Sequence, residues 1–132
     1  MTEEADLRAA AETGDVKAMV ELADLLVPQY EDDPERREEA ESWFRRAAET
    51  GDVEAMTALA LFLYHDDEHD EAAEWYHQAA DLGHAEAMAG LGDFYDFMGD
   101  EAESERWYRR AADLGDESAK ANLRALLSTR DR

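Results

Sequence analysis

Cysteine is absent from the 132 residues, which removes disulfides, zinc–thiolate sites and thiol nucleophiles at once. Proline occurs twice and glycine seven times, far from the content of a Pro/Gly-rich disordered or collagen-like chain. No stretch approaches the roughly 18 apolar residues that a membrane-spanning helix needs. The N-terminus, MTEEADLRAA, lacks the apolar region of a secretory signal, so a cytoplasmic location is the expectation. Lysine is nearly missing too, with only Lys17 and Lys120. Abundant alanine beside so little lysine suits a GC-rich bacterial or salt-adapted genome.

Positive charge is the remaining shortage. Thirteen Lys and Arg stand against 35 Asp and Glu, a formal charge of −22. Such repulsion keeps a chain soluble and monomeric while weakening its compact state. It also opposes nucleic acid and anionic lipid, which require the opposite sign. A 45% apolar content nevertheless describes a folded chain rather than a disordered one. The length suits one domain, residues 1–132, burying a little under ~70% of its unfolded surface.

Catalytic patterns are also wanting. Ser42, Ser104, Ser118 and Ser128 lie outside any nucleophile-elbow motif, and no glycine-rich loop could cradle phosphate. The carboxylates are many, but none are paired by a recognisable catalytic spacing. The chain therefore reads as a non-enzyme without a cofactor.

What the chain does contain is a sentence written four times: AAETGDVKAM, AAETGDVEAM, AADLGHAEAM and AADLGDESAK, starting at Ala10, Ala47, Ala79 and Ala111. Its glycines, Gly14, Gly51, Gly83 and Gly115, are 37, 32 and 32 residues apart. Periods of this length mark stacked helical pairs. Eight residues before each of the last three glycines stands a Trp: Trp43, Trp75 and Trp107. An aromatic follows each (Phe44, Tyr76, Tyr108), with Ala pairs at 47–48, 79–80 and 111–112. These offsets form one apolar helical stripe, here helix B, with the Trp residues expected in the hairpin core.

After each glycine a second stripe begins: Ala18, Leu22, Leu26; Ala55, Leu59, Leu63; Ala87, Leu91, Tyr95; and Ala119, Leu123, Leu127. This is helix A. Glycine suits the left-handed residue ending helix B, and the following Asp suits the N-cap of helix A. His84 replaces that Asp in the third copy and is the weaker cap. Asp33-Pro34 reads as N-cap and first helical residue, and Asp100 with Glu103 reads as a capping box. Eight helices are expected, near 3–13, 15–27, 34–50, 52–64, 69–82, 84–98, 101–114 and 116–129. The first and last are caps flanking the hairpin repeats at about 15–114.

The stretch AGLGDFYDFMGDEAESERWYRRAADLG, together with Gly-His-Ala-Glu-Ala at 83–87, resembles the Sel1-like repeats, relatives of the tetratricopeptide repeats. The resemblance covers nearly the whole chain, since small, aromatic and glycine positions agree in several copies. It implies an all-α, right-handed α-α solenoid of helical hairpins and an adaptor or scaffold role in protein assemblies. One departure stands out. Members usually carry a longer Gly-x-Gly connection between helices A and B. Here Leu63 to Trp75 and Tyr95 to Trp107 span only 12 residues, whereas Leu26 to Trp43 spans 17 and includes PQYEDD.

Two features compete as functional sites. YHDDEHDEAAEWYH, from Tyr64 to His77, brings His65 and His69 among four acids and could offer oxygen and imidazole ligands to a divalent cation. It crosses a helix–loop–helix joint and matches no metal motif, so a solvated acidic turn is the favoured reading, with no metal. The second is the inner face of the A helices. Once the core is assigned, Lys17, Val20, Glu21, Asp24, Glu54, Thr57, Ala58, Leu61, Glu86, Ala89, Gly90 and Asp93 remain, with Tyr64 and Phe97 at the rim. Small residues leave a shallow floor flanked by carboxylates and apolar groups. The expected binding residues are Val20, Asp24, Glu54, Leu61, Tyr64, Glu86, Asp93 and Phe97. The expected partner is a basic peptide or protein surface with an apolar anchor. An acidic inhibitor or immunity-type protein, neutralising a basic nuclease-like partner, is the alternative.

Overall fold

Each repeated Gly-Asp joint performs two local tasks. Gly83 has φ 87°; its N–H donates to the Ala80 carbonyl at 2.9 Å and that of His84 to the Ala79 carbonyl at 3.2 Å. This pair of bonds closes a helix C-terminus and needs a left-handed residue between them. The Asp carboxylates then start the next helix. Asp15, Asp52 and Asp116 accept from the N–H of Ala18, Ala55 and Ala119 at 3.1, 2.9 and 2.8 Å, each such cap contributing about 1 kcal/mol. Asp33 caps likewise, with Pro34 as the first helical residue. Asp100 accepts from the N–H of Glu103 at 3.1 Å. Glu103 itself turns to Arg106 at 2.8 Å. His84 makes no capping bond; its Nδ1 lies 2.9 Å from Thr57 Oγ1 instead.

In a computed structural model, which describes residues 2–27 and 33–130, the helices are α1 (Glu3–Glu12), α2 (Val16–Leu26), α3 (Pro34–Glu49), α4 (Val53–His65), α5 (His69–Asp81), α6 (Ala85–Phe97), α7 (Glu101–Asp113) and α8 (Glu117–Arg130). No strand occurs among the described residues. Most of the longer connection, residues 28–32, lies outside them.

Helices pack chiefly against their neighbours in chain order. Beyond that, α2 approaches α4, α4 approaches α6 and α6 approaches α8, whereas the odd-numbered helices show no such approach among the described residues. The even helices therefore form the tighter, inner layer of an all-α repeat solenoid. Between the layers, Leu22, Leu26, Leu59, Leu63 and Leu91 are buried with the Ala pairs of the odd helices in one continuous core.

Two features of the outer layer lay beyond the sequence reading. Arg45 reaches back to Glu41 at 2.9 Å, as the i, i+4 spacing expects. It also forks onto Glu71 of the next odd helix, with one arm at 3.1 Å. Arg8 pairs with Glu39 in the same sense. Arg8 and Arg45 occupy the same repeat position, as do Glu39 and Glu71, so ion pairs tie successive outer helices where backbones stand apart. The third copy interrupts the series. His77 stands where Arg is expected; its Nε2 meets the Tyr95 hydroxyl at 3.2 Å and its ring meets Trp107 edge-on at 5.5 Å.

The aromatic pairs need a correction. Trp43 and Trp107 are buried, each 8% exposed, but Trp75 is only partly buried. Arg46 and Arg110 lie over the Trp43 and Trp107 rings at 5.0 and 4.6 Å. The corresponding residue after Trp75 is Gln78, which offers no cation to cover the ring. The residue after each Trp goes deeper: Phe44, Tyr76 and Tyr108 are all buried.

Candidate functional site

The inner layer turns the leftover faces of the A helices into clefts between successive repeats. The largest of three that run along this layer, about 660 Å³, lies between α2 and α4 and is lined by Asp24, Glu54, Thr57, Ala58, Leu61 and Glu86, among others. A second, about 320 Å³, lies between α4 and α6 and is lined by Thr57, Leu61, Glu86, Ala89, Gly90, Asp93 and Asp116, together with Tyr76 and Ser118. Thr57, Leu61 and Glu86 belong to both, so the two form one trough. A third, about 300 Å³, joins it at Asp93 and continues to Asp96, Glu101 and Tyr108.

Local sequence explains the floor. Thr57, buried at 3% exposure, donates to the Val53 carbonyl at 3.2 Å and touches His84, which removes its polarity from the trough. Gly90 is small for a stronger reason: a Cβ there would fall 2.4 Å from Cε1 of Tyr76. Leu61 rises from this floor and is 44% exposed, an apolar group where solvent-facing helix positions are normally polar.

The electrostatics are one-sided. Neither α4 nor α6 carries a Lys or Arg, so nothing on these central inner helices neutralises Glu54, Glu86 or Asp93. Arg37 enters the largest cleft from α3, but Asp66 holds it at 2.9 Å. Burial pushes the Asp24 carboxyl above its ordinary range, with help from the neighbouring charge of Glu21. Burial likewise raises Asp93, although the Tyr108 hydroxyl, which donates to its Oδ1, acts in the opposite direction. The Asn122 amide stands 3.5 Å from the same oxygen.

Of the residues expected at a binding face, Asp24, Glu54, Leu61, Glu86 and Asp93 line this trough. Val20 does not; it is half-buried against the core. Tyr64 and Phe97 form a separate cluster with His69 at the rim. The Tyr64 ring stacks on His69 at 4.6 Å, and Phe97, 61% exposed, meets His69 edge-on at 4.4 Å. Tyr64 reaches toward the trough through its hydroxyl, 3.5 Å from the Asp93 carbonyl. Sequence reasoning missed the side wall made by Arg37, Phe44 and Phe62. Phe44 carried only a core signal, and neither Phe62 nor Arg37 belongs to either stripe.

The 65–70 segment does not gather into a metal centre. His69 is engaged by the rim aromatics and by the Tyr64 carbonyl at 3.1 Å, and His65 faces the largest cleft. Among the described residues no group of three His, Asp or Glu is placed to hold a metal ion. No described helix is long and apolar enough to cross a membrane.

Comparison with known proteins agrees with this architecture. The Sel1 repeat model matches residues 16–52 and 85–116, and a tetratricopeptide repeat model matches residues 53–83. No curated protein matches the chain. Among solved structures, a protective antigen of uropathogenic Escherichia coli strains displaying an SLR fold is 30% identical, with TM-score 0.71. That match covers 89% of this chain but only 27% of the antigen. A Sel1 repeat protein from Oxalobacter formigenes is also 30% identical, with TM-score 0.66, covering 95% of this chain and 99% of its own. MamA shares the fold at 19% identity and TM-score 0.70, covering 92% of this chain and 71% of MamA. The chain belongs to the Sel1 repeat family.

Proposed function

We propose that this protein is a non-catalytic interaction module, an adaptor or scaffold, whose inner trough receives a basic partner segment bearing an apolar anchor. Sel1 and tetratricopeptide repeats generally mediate protein–protein interaction. The observation that carries the finer reading is Leu61, exposed on the floor between Asp24, Glu54 and Glu86, where Arg37, paired with Asp66, is the one Lys or Arg among the described lining residues. Carboxylates around an apolar anchor steer a cationic partner and speed its encounter, while the desolvated anchor supplies most of the affinity. Phe97, exposed beside Tyr64, extends the apolar contact at the rim.

Affinity capture from a cell lysate tests this, with the partner identified and then rebound in purified form. Leu61→Ala weakens binding without changing the melting temperature; Tyr64→Ala, which also gives up its stacking on His69, weakens binding while the protein stays folded by circular dichroism. Asp24→Lys with Asp93→Lys slows association and flattens its salt dependence. The outer-face change Glu38→Lys does neither. Binding that survives every trough variant and is lost with outer carboxylates refutes the trough and identifies an acidic inhibitor of a basic protein instead.

A further inference from the structure

Resting on that reading of the trough, we propose that its occupant is an extended basic segment in which an apolar residue stands about three positions from a cation on either side, the apolar residue meeting Leu61 and the cations meeting Asp24 and Asp93.

The repeat register carries this. Asp24, Leu61 and Asp93 are one repeat position in three successive copies, separated by the same 37 and 32 residues as the glycines. Each stands two residues beyond a buried leucine, Leu22, Leu59 or Leu91, and each is exposed. On neighbouring, near-parallel inner helices they therefore form a row of acid, apolar, acid running across the solenoid. Packed helices lie about 8–10 Å apart, and an extended chain in the polyproline II form advances about 3.1 Å per residue with three residues per turn. A polyproline-II-like segment crossing the row turns every third side chain to the same face, and so meets these residues about every three positions, whereas the alternating faces of a β-strand would turn every third side chain away. A helical segment, rising only about 1.5 Å per residue, would need six or seven.

The trough suits the extended form. Its clefts are continuous across the row, sharing Leu61 on one side and Asp93 on the other. The fourth copy places Ala125 at this position, which ends the alternation. Both terminal carboxyls already bear a burial penalty on their charged form, and a bound cation would offset it.

Fluorescence anisotropy with labelled, end-capped peptides tests the register. Each peptide carries one Leu between two Arg residues in a Ser/Gly background of constant composition, with spacings of two, three, four or seven. The spacing-three peptide is expected to bind about tenfold more tightly than the others. Asp24→Asn, Asp93→Asn and Leu61→Ala each remove that advantage, while circular dichroism shows the variants still folded. Asp93→Arg paired with a peptide carrying Glu in place of one Arg restores it. Equal binding at all spacings that still depends on Leu61 overturns the register and leaves the trough reading standing, as does preference for spacing seven. Failure of every basic peptide to bind, or binding indifferent to Leu61→Ala, overturns both.

Discussion

Gly92→Ala is a one-methyl change in which three effects compete, and their sizes decide the sign. Alanine is the better helix former by about 1 kcal/mol, so on propensity alone the variant gains stability. The structure opposes this. A Cβ at Gly92 would lie 2.4 Å from both Cδ1 and Cε1 of Tyr108 and 2.9 Å from its Cγ. With Cγ among the clashing atoms, rotation of the ring about its own axis does not clear the contact. The ring is buried, and its hydroxyl is anchored on Asp93 at the far end. Overpacking of this kind costs about 1–3 kcal/mol, and loosening a hydrogen bond to a charged acceptor costs about 1.5–3 kcal/mol. Allowing partial relaxation, the net loss is about 2 kcal/mol, or roughly 6–10 °C in melting temperature for a chain of this size. A far-UV circular dichroism melt reads it directly. The double variant Gly92→Ala/Tyr108→Leu locates the cause, because the Ala penalty should vanish once the ring is gone. A Gly92→Ala protein melting at or above the parent would refute the reasoning and leave helix propensity as the governing term.

Gly83→Val should lower the melting temperature, because a β-branched residue at φ 87° carries about 1–2 kcal/mol of strain; an unchanged melt would remove the left-handed joint. Trp43→Ala should cost about 3–5 kcal/mol in urea unfolding and clearly more than Trp75→Ala, since only Trp43 is both buried and covered by an arginine; equal costs would contradict that difference. His77→Arg should extend the outer ion-pair series toward Glu103 and stabilise by about 0.2–1 kcal/mol at low salt, a gain that disappears in about 0.5 M salt if it is electrostatic. Burial raises the folded-state pKa of Asp93, so the folded chain takes up that proton more readily than the unfolded one. This contribution raises stability as pH falls through the folded value and is complete below the unfolded one. Asp93→Asn should flatten that part of a urea-midpoint profile against pH, and an unaltered profile would assign the effect elsewhere.

The repeating units were legible because their signals are local and periodic. Glycine at the joint, Asp one residue later and the Ala/Leu stripe each fix a helix end or a buried face. Helix bounds accordingly fall within a residue or two of their expected places. Stripes say which face is buried but not how deep one ring lies relative to the next. Trp75 shows the gap: its burial depends on whether an arginine three residues later folds over it, and Gln78 cannot. The ion pairs Arg8–Glu39 and Arg45–Glu71 were equally hidden, since they link residues about one repeat apart rather than one turn apart. For the trough, nine lining residues were legible from the A-helix pattern, the small floor residues Thr57, Ala58, Ala89 and Gly90 included. The wall of Arg37, Phe44 and Phe62 was not, because it arises where different helices meet at an angle.

The ion pairs and the trough differ in how much of the charge of −22 is neutralised locally. Arginines on α1 and α3 are engaged with carboxylates of the outer helices: Arg8 with Glu39, Arg36 with Glu4, and Arg45 with Glu41 and Glu71. On α7, Arg106 and Arg109 are engaged with Glu103 and Glu105. Each exposed pair adds little stability, but each also cancels local field on the outer side. The central inner helices have no such cancellation, since α4 and α6 contain neither Lys nor Arg. The trough carboxylates of α4 and α6 therefore keep their local field, which low-dielectric walls strengthen. Leu61 stands exposed among these carboxylates, so the proposed partner would be steered by charge and held by an apolar contact.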